Sequence, residues 1–193
     1  VRCCFMTTKK EIPAMQGENR IRQLVTMAAL AAVSIVLVFF IHFPIFPAVP
    51  FLEYDPADIS ILLCTFLFGP LSGFLMTVVV SLIQGLTVSA ASGVYGILMH
   101  VIATSAYVLC AGLFYRFHRT RKGAVVALLI GICAMAVVMI PANLLITPLF
   151  MGVSVDVVVG MLGFIVLFNV IKAGINGIVT FIIYKPLKRV LKI

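Results

Sequence analysis

Six apolar runs, at residues 24–42, 58–68, 71–86, 96–115, 123–146 and 157–184, are separated by short polar or proline- and glycine-bearing breaks. None shows the strict in–out alternation of a membrane β-strand, and four of them reach roughly the 20 residues that carry a helix across a bilayer. The pattern predicts an all-α integral membrane protein. The two middle runs are short, with Gly69-Pro70-Leu71-Ser72-Gly73 between them. That stretch suits either a tight turn between two short helices or a kink in one long helix.

Charge placement chooses between the two. Thirteen of the fourteen Lys and Arg residues fall in three clusters: Arg2, Lys9, Lys10, Arg20 and Arg22; Arg116, Arg119, Arg121 and Lys122; Lys185, Lys188, Arg189 and Lys192. Basic residues gather on the cytoplasmic side of a membrane, so an even number of spans should separate neighbouring clusters. A turn satisfies this and a kink does not. The expectation is six transmembrane helices with both termini cytoplasmic and a ligand pocket on the extracellular side. Residues 20–193 read as one membrane domain. Residues 1–19 are polar, carry Pro13 and lack an apolar h-region, so they read as a cytoplasmic tail and not a cleaved signal.

Composition agrees: 63% hydrophobic residues, 10% charged residues and a mean hydropathy of +1.25 exclude an ordinary soluble domain. The net charge of +8 is accounted for by the basic loops, so no nucleic-acid partner is expected. Cys3, Cys4, Cys64, Cys110 and Cys133 show no metal-ligand spacing, and the last three read as small buried apolar residues. With Trp absent, Tyr54, Tyr95, Tyr107, Tyr115 and Tyr184 are left to anchor helices at the interfaces.

The one remaining cation is Lys172, inside the last apolar run. An ammonium near the middle of a span costs roughly 2.5–3.5 kcal/mol on insertion scales and marks a functional site by default. Asn169, Lys172 and Asn176 share one helical face by their spacing. Glu11 and Glu18 fall in the tail, and Glu53, Asp55, Asp58 and Asp156 are assigned to outer loops. No acid in a span is then expected to neutralise Lys172, and Lys172→Met should hold or raise stability while weakening ligand binding. His42, His100 and His118 read as isolated. Residues 43–56, FPIFPAVPFLEYDP, contain four prolines and form an extended ordered loop, with apolar side chains folded over the outer mouth of the bundle.

Asn143 after Pro141, Asn169, and the small residues of 89–96 (including Ser92, Gly93 and Tyr95) converge on the outer half. Amides and closely approached backbone suit a flat, neutral heterocycle. For the two Asn residues, bonding between helices is the competing role. The pair Ala28-xxx-Ala32 permits close approach of another helix, whether a partner's or one of this chain. No GxxxxGK[ST], no HExxH and no paired intramembrane acids are present, so no enzymatic activity is expected. The sequence describes a binding pocket that lacks an energy source of its own.

The runs PFLEYDPADISILL, FLFGPLSGFLMT and the stretch from Ala90 to His100, with Asn169-xx-Lys172 and the YKPLKRVL tail, resemble the riboflavin-binding (RibU type) S components of energy-coupling-factor (ECF) vitamin transporters. The similarity extends over nearly the whole chain from Arg22. It implies a six-helix subunit of a bacterial cell membrane that binds riboflavin at the outer side, without a cofactor. It also implies partners, a membrane coupling subunit and two ATPases, which dock through Ala28 and Ala32. Leu52, Glu53, Tyr54, Ser92, Gly93, Tyr95, Asn143, Asn169 and Lys172 become the expected ligand-binding residues. The brief connection 148–156 leaves little room for a second lid.

Overall fold

The computed structural model describes residues 13–47 and 49–190, with side chains from residue 20 onward. Arg2, Cys3, Cys4, Lys9, Lys10, Glu11 and Lys192, and most of the expected tail, lie outside the described residues; from Pro13 the chain already belongs to the first helix. Among the described residues six α-helices follow one another: α1 Pro13–Phe40, α2 Ala57–Phe68, α3 Pro70–Leu86, α4 Gly93–Phe117, α5 Arg121–Met151 and α6 Val155–Val190. Between α1 and α2, the two-residue strands β1 (Phe43–Pro44) and β2 (Glu53–Tyr54) pair antiparallel. Among the described residues four segments, Arg20–Phe40, Ala90–Phe117, Arg121–Met151 and Val155–Val190, are long and apolar enough to cross a membrane; α2 and α3 are shorter.

The break at residues 69–73 is a reversal of direction. Gly69 takes φ 102, a region that favours glycine, and its N–H closes the last turn of α2 on Thr65 O. Gly73 packs so tightly on Thr65 that a Cβ there would collide with the hydroxyl. At the far end of the pair, Gln84 Nε2 donates to Asp55 Oδ2 at 3.2 Å, so α3 runs back alongside α2. Every residue of α2 from Ala57 to Phe66 is buried. A helix enclosed on all sides has no polar face to show, so apolar residues occupy every side of this short run, and its polar residues Asp58, Ser60 and Thr65 are buried with them.

Three contacts establish which helix ends lie together. Gln23 reaches Ser72 at 3.1 Å, the Tyr115 and Tyr184 hydroxyls meet at 3.1 Å, and Arg116 and Arg119 line a cavity with Gly69 and Pro70. The described members of all three basic clusters therefore gather at the end carrying the α2–α3 turn. At the other end, the loop folds back as expected, with Val49 and Leu52 buried against Val158, Ile165 and Phe168 of α6.

Several sequence expectations need correction. Tyr107 is fully buried and donates to Ala173 O at 3.0 Å, and Tyr54 is also interior, so neither anchors an interface. Of the cysteines, Cys64 is buried, Cys110 half-buried and Cys133 exposed. The connection after α5 is only residues 152–154, because α5 continues through Pro148 to a left-handed Gly152. On α1, Leu30, Ser34 and Val38 turn inward while Ala28 and Ala32 are exposed. Internal packing does not account for the small-residue pair.

Candidate functional site

The face of α6 carrying Asn169, Lys172 and Asn176 is buried, and Lys172 has a counter-charge: its Nζ lies 2.8 Å from Asp55 Oδ2. The isolated cation expected from the sequence does not exist. Asp55, at the end of the loop, is 3% exposed because residues 54–56 dive into the bundle before α2 begins. Asp58 was also expected in an outer loop; it occupies the first turn of α2 and is fully buried.

Both carboxylates are closely held. Asp55 Oδ1 accepts from Ala57 N at 3.2 Å, and Oδ2 is shared by Lys172 and Gln84. Thr104 Oγ1 donates to Asp58 Oδ1 at 2.7 Å. Asn176 Nδ2 donates to Asp55 O at 3.2 Å and Asp58 Oδ2 at 3.3 Å, while its Oδ1 accepts from Tyr54 OH at 2.9 Å. Burial alone would push the Asp55 carboxyl up, but the Lys172 ammonium and then His100 hold it well below the usual carboxylate range. Burial, followed by the Asp55 charge, raises the Tyr54 phenol. Nor is His100 isolated: its Nδ1 pairs with Ser81 Oγ at 2.7 Å, and its Nε2 sits 3.8 Å from both Asp55 and Asp58. The network thus ties the loop, α2, α3, α4 and α6 into one polar floor.

Above this floor opens a cleft of about 900 Å³, counted out to its mouth. Phe51, Leu52 and Glu53 of the loop, Ser92 and Tyr95 at the start of α4, Asn143, Thr147 and Phe150 of α5, and Phe168, Asn169 and Lys172 of α6 line it. Tyr95 and Phe150 stand with ring centroids 5.9 Å apart. At the mouth, His42 Nε2 lies 2.9 Å from Glu53 Oε2 and 3.4 Å from Ser89 Oγ, so His42 too has partners. Among the nine expected binding residues, Tyr54 and Gly93 do not line the cleft. Tyr54 is turned toward Asn176, and Gly93 serves the joint between a short 3-10 turn (Ala90–Ser92) and α4 with φ 51.

The two amides do not join helices. Asn143 Nδ2 donates to Met139 O and Asn169 Nδ2 to Ile165 O, each at 2.8 Å within its own helix. Each amide nitrogen thus has a second N–H beyond that bond, on a side chain lining the cleft. Two buried polar atoms on the α3–α4 wall, Gln84 Oε1 and His100 Nε2, have no hydrogen-bond partner. Gln84 cannot flip to relieve this, since its oxygen would then face the Asp55 carboxylate that its nitrogen now satisfies. A mostly apolar, aromatic-flanked cleft with a few convergent polar groups is the arrangement of a small-molecule site.

Sequence reasoning missed Asp55, Asp58, Gln84 and His100 as members of this site. One signal was present. A buried ammonium calls for a buried acid, and Asp55-xx-Asp58 supplies two at helical spacing on the edge of an apolar run.

Fold and cleft together describe a helical membrane protein built to hold a small ligand. Residues 22–184 match the family "ECF transporter, substrate-specific component", and the chain belongs to that family of substrate-specific (S) components. Over 150 residues it is 29% identical to "Riboflavin transporter RibU" of Staphylococcus aureus (strain TCH60), covering 74% of this chain and 78% of that one. It superposes with a TM-score of 0.78 and 30% identity on the solved "Structure and mechanism of the S component of a bacterial ECF transporter", covering 90% of this chain and 99% of the other.

Proposed function

We propose that this chain captures riboflavin on the outer side of a bacterial cell membrane for uptake driven by partner subunits. The observation that carries the reading is the cleft, whose aromatic flanks suit a planar ring system and whose amides suit its polar edge and hydroxyls. Likeness to the S. aureus riboflavin transporter supports the choice of ligand. Leu52, Glu53, Ser92, Tyr95, Asn143 and Asn169 contact the vitamin, and Lys172 does so while held by Asp55. Tyr54 and Gly93 shape the wall from behind. No cofactor or catalytic step is needed.

All six helices span, α2 and α3 as a short hairpin enclosed by the others, and both termini are cytoplasmic. The basic end then faces the cytoplasm and the cleft faces outward. A membrane coupling subunit and two ATPases are the partners, docking on the exposed α1 face at Ala28 and Ala32. Calorimetric titration of the purified protein with riboflavin, thiamine and pantothenate tests the ligand. Heat at micromolar riboflavin alone is expected, and none with riboflavin would overturn the reading. Uptake into liposomes by this chain alone would instead favour a self-sufficient carrier.

A further inference from the structure

At the end of the bundle opposite the cleft, a second cavity of about 710 Å³, counted out to its mouth, lies between α2, α3 and α4. Gly69, Pro70 and Gly112 line it together with Arg116 and Arg119. Gly112 keeps the packing tight here: a Cβ on it would come within 2.9 Å of Pro70 Cβ. Both arginines are exposed, and neither has an acidic partner among the described residues. The described acids whose side chains are placed, Glu53, Asp55, Asp58 and Asp156, belong to the cleft end of the molecule. The first turn of α3 opens here with Pro70 and no side-chain cap, which adds partial positive charge beside the arginines.

The surroundings indicate where a counter-anion would come from. Leu71, on the cavity wall, is 69% exposed, and Phe117, next to Arg116, is 78% exposed. In a membrane protein such surface meets acyl chains. We propose that this cavity seats the phosphate headgroup of an anionic phospholipid, held by the Arg116 and Arg119 guanidiniums, with its tails along Leu71 and Phe117. Guanidinium forks bind phosphate oxygens in pairs, and a basic pocket between membrane helices on the cytoplasmic side is a seat for such headgroups. The site is separate from the outer cleft, and its test does not involve the vitamin.

The experiment follows thermal unfolding of the purified chain in neutral detergent with added phosphatidylglycerol, phosphatidylcholine or inorganic phosphate. Phosphatidylglycerol should raise Tm by roughly 5 °C near saturation, and the other two additions should not. Arg116→Gln with Arg119→Gln should abolish the shift while circular dichroism shows native helix content. If that pair fails to fold, Arg116→Lys with Arg119→Lys keeps the charge, loses the planar fork and should show a reduced shift. An undiminished shift in the variants, or equal protection by phosphatidylcholine, would overturn the site. Protection by inorganic phosphate equal to that by phosphatidylglycerol would overturn the lipid as its source.

Discussion

Lys172 Nζ stands 2.8 Å from Asp55 Oδ2, joining α6 to the end of the first loop across 117 positions of sequence. The same carboxylate oxygen accepts from Gln84, so one acid organises the floor of the cleft and the wall beside it. An ion pair in this setting adds little net stability, because desolvation offsets the attraction. Breaking it is costly, since the charge left behind remains out of water.

Lys172→Met should therefore destabilise the ligand-free protein by about 3–5 kcal/mol, the reverse of what an unpaired cation would give. Adding Asp55→Asn should recover much of the loss. Thermal unfolding of both single variants and the double in one detergent measures the coupling. Additive losses would mean that the two groups act independently.

Gln84→Leu removes a buried acceptor that lacks a partner, together with one donor to Asp55. The two changes oppose each other, so Tm should move little. Riboflavin affinity should fall about tenfold, near 1.4 kcal/mol, if a ligand N–H or O–H pairs with Oε1. A Kd within about twofold of wild type would leave Gln84 as a brace for Asp55 only.

Ala28→Trp with Ala32→Trp places bulk on an exposed face of α1, away from the cleft lining. Calorimetry should return an unchanged Kd, while cellular riboflavin uptake is lost. Normal uptake would exclude this face as the docking surface.

Gly112→Ala should cost about 1–3 kcal/mol, since its new methyl meets Thr65 Cγ2 at 2.6 Å and Pro70 Cα at 3.1 Å. Gly163→Ala, in the same detergent, is the control. Nothing lies within 4 Å of that position, so helix propensity alone should make it neutral or stabilising. Equal Tm values for the two would show that the α2–α3 turn is not packed as described.

Much of the fold was legible because a bilayer restricts a chain so strongly. Backbone groups in lipid must be satisfied within each helix, so every helix announces itself as an apolar run. The expected run 58–68 became α2 at Ala57–Phe68, and 71–86 became α3 at Pro70–Leu86. The reversal at Gly69 was readable only through the parity of the basic clusters; Gly-Pro by itself permitted a kink. Candidate residues contributed by separate elements, such as Ser92, Asn143 and Asn169, were legible one at a time as polar groups in apolar surroundings.

The sequence by itself determined the helices, the placement of charge toward one end and the presence of a buried cation at Lys172. It pointed to no partner for that cation, because Asp55 reads locally as an ordinary loop acid beside a proline. Only the return of the loop into the bundle takes Asp55 and Asp58 out of water and brings them against α6, α3 and α4. Hydropathy measures the neighbours along the chain, whereas desolvation depends on neighbours in space, and for these two acids the neighbours differ.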